Sequence, residues 1–471
     1  MKRLAVMSIL CVTTAALNAR ISCGINERPE VLDTSRIFDI DEIIVVSQPK
    51  ENYRLRMQAL SSSSFSGNDI NSLKVNSLNG LSAYAPSFAM PDYGSRLTSS
   101  VYVRGIGSRI NSPAIGLYVD GMPIINKSAL NFYTYQVERI DVMRGPQGTL
   151  YGQNTEGGLI RLYTPNPMSY SGTDVKLSIG SHFLRNIEIA HYGKISDKLA
   201  FSIAGFYNGT NGFLRNTATG ERADKMNEAG GKARLVYDSG NKLSVDFVAD
   251  YQYVKQNGFA YGLYDEKTGT TAEPSFNYQN NYRRNIFNTG LTFRLKEDNF
   301  DFNATTSYQY LKDYMLMDQD YMPIDYMHLT QRQFQNALTE EITVKSKSDR
   351  RWKWTFGLFG SYMWLKTNAP VYFGDGMTKP ISDKIQSAMY NAIVGSIAQK
   401  MMAGGMPESV AMEMAKSTVE KSGGISLGMA LTVPGVFHTP HFNLGLFHES
   451  NISITDRLNA TIGLRYDFSQ T

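Results

Sequence analysis

From about residue 173 to the end of the chain, hydrophobic and polar residues alternate one by one, and each run keeps a single phase. Along 243–251 one face carries Leu243, Val245, Phe247, Ala249 and Tyr251, and the other carries Ser244, Asp246, Val248 and Asp250. Phe300, Phe302, Ala304, Thr306, Tyr308 and Tyr310 oppose Asp301, Asn303, Thr305, Ser307 and Gln309 in the same way. Near the end, Leu458, Ala460, Ile462, Leu464, Tyr466 and Phe468 oppose Asn459, Thr461, Gly463, Arg465 and Asp467. A period of two predicts strands with one apolar and one polar face. Runs are found near 173–180, 184–192, 198–207, 228–237, 242–254, 282–296, 300–311, 330–346, 351–365, 438–453 and 458–468. Strands this long, apolar outward and polar inward, fit a membrane barrel with a wet interior; a soluble sandwich seldom sustains them.

The connections alternate as well. Short polar turns stand near Ser196-Asp197, Ser239-Gly240-Asn241, Asp298-Asn299, Ser348-Asp349 and Thr455-Asp456-Arg457, and most of the intervening links are long. Short periplasmic turns and long outer loops are the expected asymmetry. The three tryptophans, Trp352, Trp354 and Trp364, share one strand and one parity. At ~3.3 Å per residue and a tilt of ~40° they reach both interfacial belts.

Two stretches depart from the alternation. From about 68 to 167, short β-rich runs at 101–103, 117–119 and 140–142 are punctuated by glycines, the pattern of a small sheet with tight turns. Within 366–437, an insertion, Ile385, Met389, Ile393, Ile397 and Met401 recur every four residues. Gly404-Gly405 interrupts, and 407–421 restarts, which predicts a helical hairpin across 381–421. Its Met and Ile stripe is expected to pack onto neighbouring loops.

Composition narrows the class. At 471 residues, the chain is too long for one small domain. Lys and Arg total 47 against 43 Asp and Glu, a balance that excludes the basic footprint of a nucleic-acid binder. No run of 18 apolar residues occurs, so spanning helices are excluded while spanning strands are not. Cys11 and Cys23 are too few for a disulfide framework or a Cys-based zinc site. Lys2 and Arg3, the apolar stretch 4–17 and the small residues near Ala19 lay out a secretory signal over 1–19. Cys23 reads as an incidental thiol, because Arg20 stands where a lipobox takes an aliphatic residue. In the polar segment 20–52 one apolar island occurs, Ile43, Ile44, Val45 and Val46 before Ser47. A lone strand near a terminus is suited to joining another protein's sheet edge.

Four motifs in order, 101–107 (Val-Tyr-Val-Arg-Gly-Ile-Gly), 116–123 (Gly-Leu-Tyr-Val-Asp-Gly-Met-Pro), 137–152 (Val-Glu-Arg-Ile-Asp-Val-Met-Arg-Gly-Pro-Gln-Gly-Thr-Leu-Tyr-Gly) and 157–160 (Gly-Gly-Leu-Ile), resemble the plug of TonB-dependent outer-membrane receptors. The resemblance implies a plug over 53–167 with an α+β fold, followed by a transmembrane β-barrel from 168 to 471. Such barrels close with about 22 strands, so about half of them would be present, as in the first half of a receptor. It makes 43–47 the TonB box, and it implies import across the bacterial outer membrane of a ligand such as a ferric siderophore or other iron complex. The partners would be TonB with its inner-membrane energising complex, the ligand, and outer-membrane lipid, with no nucleic acid. An outer-membrane docking or adhesion protein and a passive porin are the alternatives.

No enzyme is expected. The glycine-rich stretch 152–158 lacks the lysine that a P-loop requires, with Leu159 following it, and the zinc-protease and nucleophile-elbow patterns are missing. No cofactor or metal site is expected. His438 and His441 read as ordinary loop residues, and Asp318, Asp320, Asp325 and His328 lack a calcium loop's glycine and terminal glutamate. The expected site residues are therefore Arg104, Gly105, Asp120, Gly121, Glu138, Arg139, Arg144, Gly145 and Gly148 in the plug motifs, with Glu341 on the wall. Arg104 and Arg144 are expected inside the barrel as buried charges facing acids, because an unpaired buried guanidinium is too costly to leave alone. Along 338–344, Leu338, Glu340, Ile342 and Val344 share the lipid side, which turns Glu341 inward with Thr339 and Thr343. The resemblance makes Glu341 the partner of Arg144 or Arg104.

Overall fold

In the computed structural model, which describes residues 50–51, 60–108, 113–347, 350–423, 431–455 and 457–471, a small mixed sheet lies against a large antiparallel one. The expected signal segment 1–19 and the expected TonB box 43–47 lie outside the described residues.

The chain enters the small sheet through β1 (Ser61–Ser66), and Ser66 with Asp69 closes a capping box that starts α1 (Gly67–Ser72). Three two-residue strands, β2 (Phe88–Ala89), β3 (Tyr102–Val103) and β4 (Ile106–Gly107), form a separate little sheet. There follow β5 (Ile115–Val119), β6 (Met122–Pro123), β7 (Arg139–Arg144), the one-turn helix α2 (Gly148–Tyr151) and β8 (Gly158–Tyr163). The sheet order is β1-β7-β8-β5-β6, with β5 and β8 parallel. Every residue of β5 is buried, as expected of a strand covered on both faces. Leu78, Val103, Ile140, Val142 and Ile160 make one apolar cluster that also takes in Ile286 and Leu311 of the large sheet. The plug core is thus continuous with the wall.

The wall begins with β9 (Gly172–Gly180), β10 (Leu184–Ser196), β11 (Leu199–Thr210), β12 (Met226–Asp238) and β13 (Leu243–Gln256). A loop carrying the ribbon β14 (Tyr264–Asp265) and β15 (Thr270–Thr271) leads to β16 (Asn281–Lys296), β17 (Phe300–Asp318), β18 (Met327–Ser346) and β19 (Trp352–Asn368). After β20 (Val371–Phe373) come helices α3 (Asp375–Ala403) and α4 (Glu408–Lys421), then β21 (Leu431–Val433), β22 (Val436–His438), β23 (His441–Thr455) and β24 (Leu458–Gln470). Eleven strands pair in sequence order from β9 to β24, and β20, β21 and β22 extend the sheet at its loop end. The expected strands are all present, most of them longer by a few residues.

Alternation sets the faces as the sequence predicts. Phe247 and Tyr251 are exposed while Asp246 and Asp250 are buried, and Thr305, Ser307 and Gln309 turn inward along β17. Trp352 and Trp364 are exposed on the outer face, with Trp354 half-buried beside them.

The hairpin forms, but not with the expected stripe. Val394 and Ala398 of α3 pack on Ala411, Ala415 and Val419 of α4, joined by Ile397 and Met401. Ile385, Met389 and Ile393 are exposed by 40%, 44% and 40%. At 3.6 residues per turn, a spacing of four advances about 40° per step, so the stripe winds from a free face onto the helix–helix contact within α3.

Candidate functional site

The chain just before the plug is pinned between plug and wall. Lys50 Nζ lies 2.5 Å from Glu341 Oε2 of β18 and donates to the Leu150 carbonyl of α2 at 3.2 Å. Its ammonium also sits 4.1 Å from the centre of the Tyr151 ring, a cation–π contact. Thr355 Oγ1 of β19 donates to the Lys50 carbonyl at 2.9 Å. Burial lowers the Lys50 pKa below the ordinary lysine range, and the Glu341 carboxylate limits that fall. Glu341 faces inward because β18 alternates: Thr339, Glu341 and Thr343 are buried while Leu338 is exposed.

Glu51 continues the contact into the plug. Its Oε1 accepts from the Tyr151 hydroxyl at 2.6 Å and from Arg161 Nη1. Burial alone would push the Glu51 carboxyl up, but the Arg161 guanidinium and the Tyr151 hydroxyl outweigh it and hold the group below its usual range. Arg161 Nη2 reaches Asp141 Oδ2 at 3.2 Å, because β7 and β8 pair Asp141 with Arg161. Arg139 Nη2 meets the same carboxylate at 3.1 Å. A chain of alternating charges therefore runs from wall to plug through Glu341, Lys50, Glu51, Arg161, Asp141 and Arg139.

Two expected members of this cluster are elsewhere. Arg104 is exposed, on the tight turn between β3 and β4, where Arg104 and Gly105 take φ of 51° and 79°. Arg144 is half-buried and stays inside the plug, donating to Ser61 Oγ at 3.0 Å, Ser63 Oγ at 3.1 Å, Ser62 O at 3.2 Å and Pro86 O at 3.0 Å. The pairing of β1 with β7 sets Ser61 opposite Arg144. Neutral hydroxyls and carbonyls satisfy its guanidinium there, so it needs no wall carboxylate, and the expected pairing of Glu341 with Arg144 or Arg104 is replaced by Lys50.

The remaining motif residues build turns and a second wall contact. Asp120 and Gly121 turn β5 into β6 with φ of 50° and 88°. Asp120 accepts from Thr164 N and Oγ1 at 2.8 and 2.9 Å, and Lys232 of β12 approaches it at 3.9 Å. Glu138 is half-buried beside Arg139, and burial raises its carboxyl. Gly145 takes a φ of 119° after β7, near the Arg104 guanidinium, and Gly148 opens α2. Further along the wall, Arg234 of β12 pairs with Asp246 of β13 at 2.8 Å and donates to the Thr164 carbonyl at 3.0 Å.

At the loop end, Arg96 of the plug donates to Glu228 of β12 at 2.8 and 2.9 Å. Asn131 joins them, donating to Asp92 and Ser99 at 2.7 Å. Burial raises the Asp92 carboxyl, with Arg96, Ser99, Asn131 and Asn79 acting against the rise. Lys50, Glu51, Arg96, Asp141 and Arg161 escaped the sequence reading. For Glu228 alone a local signal existed, its inward parity on a wall strand.

His441 reaches Gln153 of the plug at 3.0 Å, and no group of three or more His, Cys, Asp or Glu suited to a metal occurs among the described residues.

The family description TonB-dependent Receptor Plug Domain matches residues 54–159. The chain is 24% identical to the pesticin receptor of Yersinia pestis over 289 residues, 60% of this chain and 43% of that one. It is 25% identical to the pesticin receptor of Yersinia enterocolitica over 257 residues, 53% of this chain and 38% of that one. This chain thus matches less than half the length of these relatives. Among solved structures, the ferric yersiniabactin uptake receptor FyuA from Yersinia pestis aligns with a TM-score of 0.70 at 19% identity, covering 89% of this chain and 58% of that one. The ferric-catecholate import receptor Fiu from E. coli K12, closed form, aligns with a TM-score of 0.62 at 14% identity over 89% and 58%.

Proposed function

The chain belongs to the TonB-dependent receptors of the bacterial outer membrane, and from that membership we propose that it takes part in active import of a scarce ligand, energised by TonB through residues 43–47. The ligand we propose is a ferric siderophore or another iron complex. The similar folds of a ferric yersiniabactin uptake receptor and a ferric-catecholate import receptor support that choice.

One observation carries the reading. Lys50, three residues beyond Ser47, is held at once by the wall through Glu341 and by the plug through Leu150 and Tyr151. A pull on 43–47 would load this clamp first and pass through Glu51 into Arg161 of β8.

Val45→Pro tests it. Proline removes a ladder donor and should disrupt the strand added to TonB, so uptake of a radiolabelled ferric siderophore is lost while its binding is retained. Unchanged uptake would remove the TonB-box assignment. A passive porin predicts unchanged uptake after deletion of 41–47. The exposed face of α3, with Ile385, Met389 and Ile393, favours a second reading in which the insertion 366–437 docks a partner protein. Capture of a partner by that loop, with no uptake by the whole protein, would select it.

A further inference from the structure

The outward face of the wall gathers positive charge at its loop end. It presents there Arg185 of β10, Lys255 of β13, Arg283 of β16, Lys312 of β17, Arg332 of β18 and Lys366 of β19. Arg185 is half-buried and the other five are exposed. Strand register makes them neighbours. Lys255 lies directly opposite Arg283, Arg283 and Arg332 both lie opposite Tyr314, and Phe334 pairs with Lys312 on one side and Lys366 on the other. No Asp or Glu takes an outward position at this height on β10 to β19.

These cations lack protein counter-charges. Among the described residues none of the six makes an ion pair, whereas at the periplasmic end Lys242 meets Glu297 and Lys347 meets Asp301, each at 2.6 Å. Arg185 Nη2 donates to Asn227 Oδ1 at 3.2 Å, but its Nε is buried without a partner. The Arg332 guanidinium lies 5.4 Å from the centre of the Tyr314 ring. Each of the six stands about 11 to 14 residues from the periplasmic end of its strand, or about 28–35 Å in height at ~3.3 Å per residue and a tilt of ~40°. A hydrocarbon core spans about 25–30 Å, so the band stands just beyond it. Aromatic rings mark that boundary. Tyr310, Phe334 and Trp364 each lie two positions below a basic residue, with Tyr310 and Phe334 edge to face at 5.4 Å and Trp364 packed on Tyr362 at 4.2 Å.

We propose that this arc binds the phosphate groups of the phosphorylated glycolipid of the outer leaflet, lipid A. Guanidinium forks and ammonium groups take the phosphates at headgroup depth, and the rings beneath pack on the acyl chains. A water-soluble anion is disfavoured, because the six side chains face the bilayer rather than the lumen. The inference rests on the outer-membrane location and is independent of the imported ligand.

The test uses the full chain in neutral detergent with fluorescent diphosphoryl lipid A, compared with the same lipid stripped of both phosphates. Saturable binding is expected, at least about tenfold tighter for the phosphorylated form. The triple variant Arg283→Gln, Lys312→Gln, Arg332→Gln should weaken it by about a hundredfold, roughly fivefold for each charge removed. The charge-retaining variant Arg283→Lys, Arg332→Lys should keep most of the binding, and Lys242→Gln at the periplasmic end should leave it unchanged. Equal binding of the two lipids, unchanged binding by the triple variant, or an equal loss in Lys242→Gln overturns the proposal. Displacement of the lipid by millimolar inorganic phosphate would make the arc a site for a soluble anion and overturn it as well. None of these outcomes depends on a siderophore or on TonB.

Discussion

Lys50 and Glu341 hold their charges 2.5 Å apart with side chains only 3% and 6% exposed, and they join the chain before the plug to a wall strand. Removing one partner of such a pair strands the other in a place water does not reach. Glu341→Ala should therefore weaken the plug–wall contact by about 3–5 kcal/mol. The outward Glu340, which accepts from Thr306 Oγ1, is the control, and Glu340→Ala should change stability by about 0.5 kcal/mol or less. Urea unfolding of the plug in detergent, followed by hydrogen exchange of β7, measures both. Equal effects of the two substitutions would show that Glu341 carries no special load.

Acid should loosen the same region through Glu51. Its carboxyl is held below the ordinary glutamate range in the fold, so the associated stability is present above the unfolded pKa of about 4.3 and is lost as pH falls through the lower folded value. Exchange protection around Tyr151 and Arg161 should be flat from neutral pH down to about 5 and fall below about 4. In Glu51→Gln this acid step should shrink. A step of unchanged size in that variant would assign it to another carboxylate.

Arg144 should matter to the plug alone. Its four hydrogen bonds tie β7 to β1 and to the Pro86 carbonyl, and bonds from a charged donor are worth about 1.5–3 kcal/mol. Arg144→Ala should raise exchange along Ser61–Ser66 while leaving the Lys50 contact protected. Loss of protection at Lys50 as well would restore the wall-facing role expected from the motif.

Gly152 and Gly148 should respond differently to alanine. A Cβ at Gly152 would run into the Arg465 guanidinium, and its φ of 68° is strained for any other residue, whereas a Cβ at Gly148 meets nothing within 4 Å. Gly152→Ala should cost about 1–3 kcal/mol, and Gly148→Ala should be neutral or slightly stabilising. Thermal unfolding of the two variants side by side checks the contrast.

The wall was legible in the chain, because side-chain direction along a strand is a local property with a period of two. The parity of Phe247 against Asp246, and of Leu338 against Glu341, follows from neighbours in the chain, and the same parity set Glu341 inward. The existence of α3 and α4 was legible too, since helical periodicity and the Gly404-Gly405 break are local. Which side of α3 meets α4 required the packed hairpin, where Val394 and Ala398 rather than Ile385 and Met389 face Ala411 and Ala415. Which charges meet was settled by packing alone. Glu51 and Arg161 are 110 residues apart, and Thr355 and Lys50 are 305 apart. No spacing along the chain encodes such contacts. They arise because a buried charge takes whatever partner the packing brings within reach: for Arg144 the serines of β1, and for Glu341 the lysine that precedes the plug.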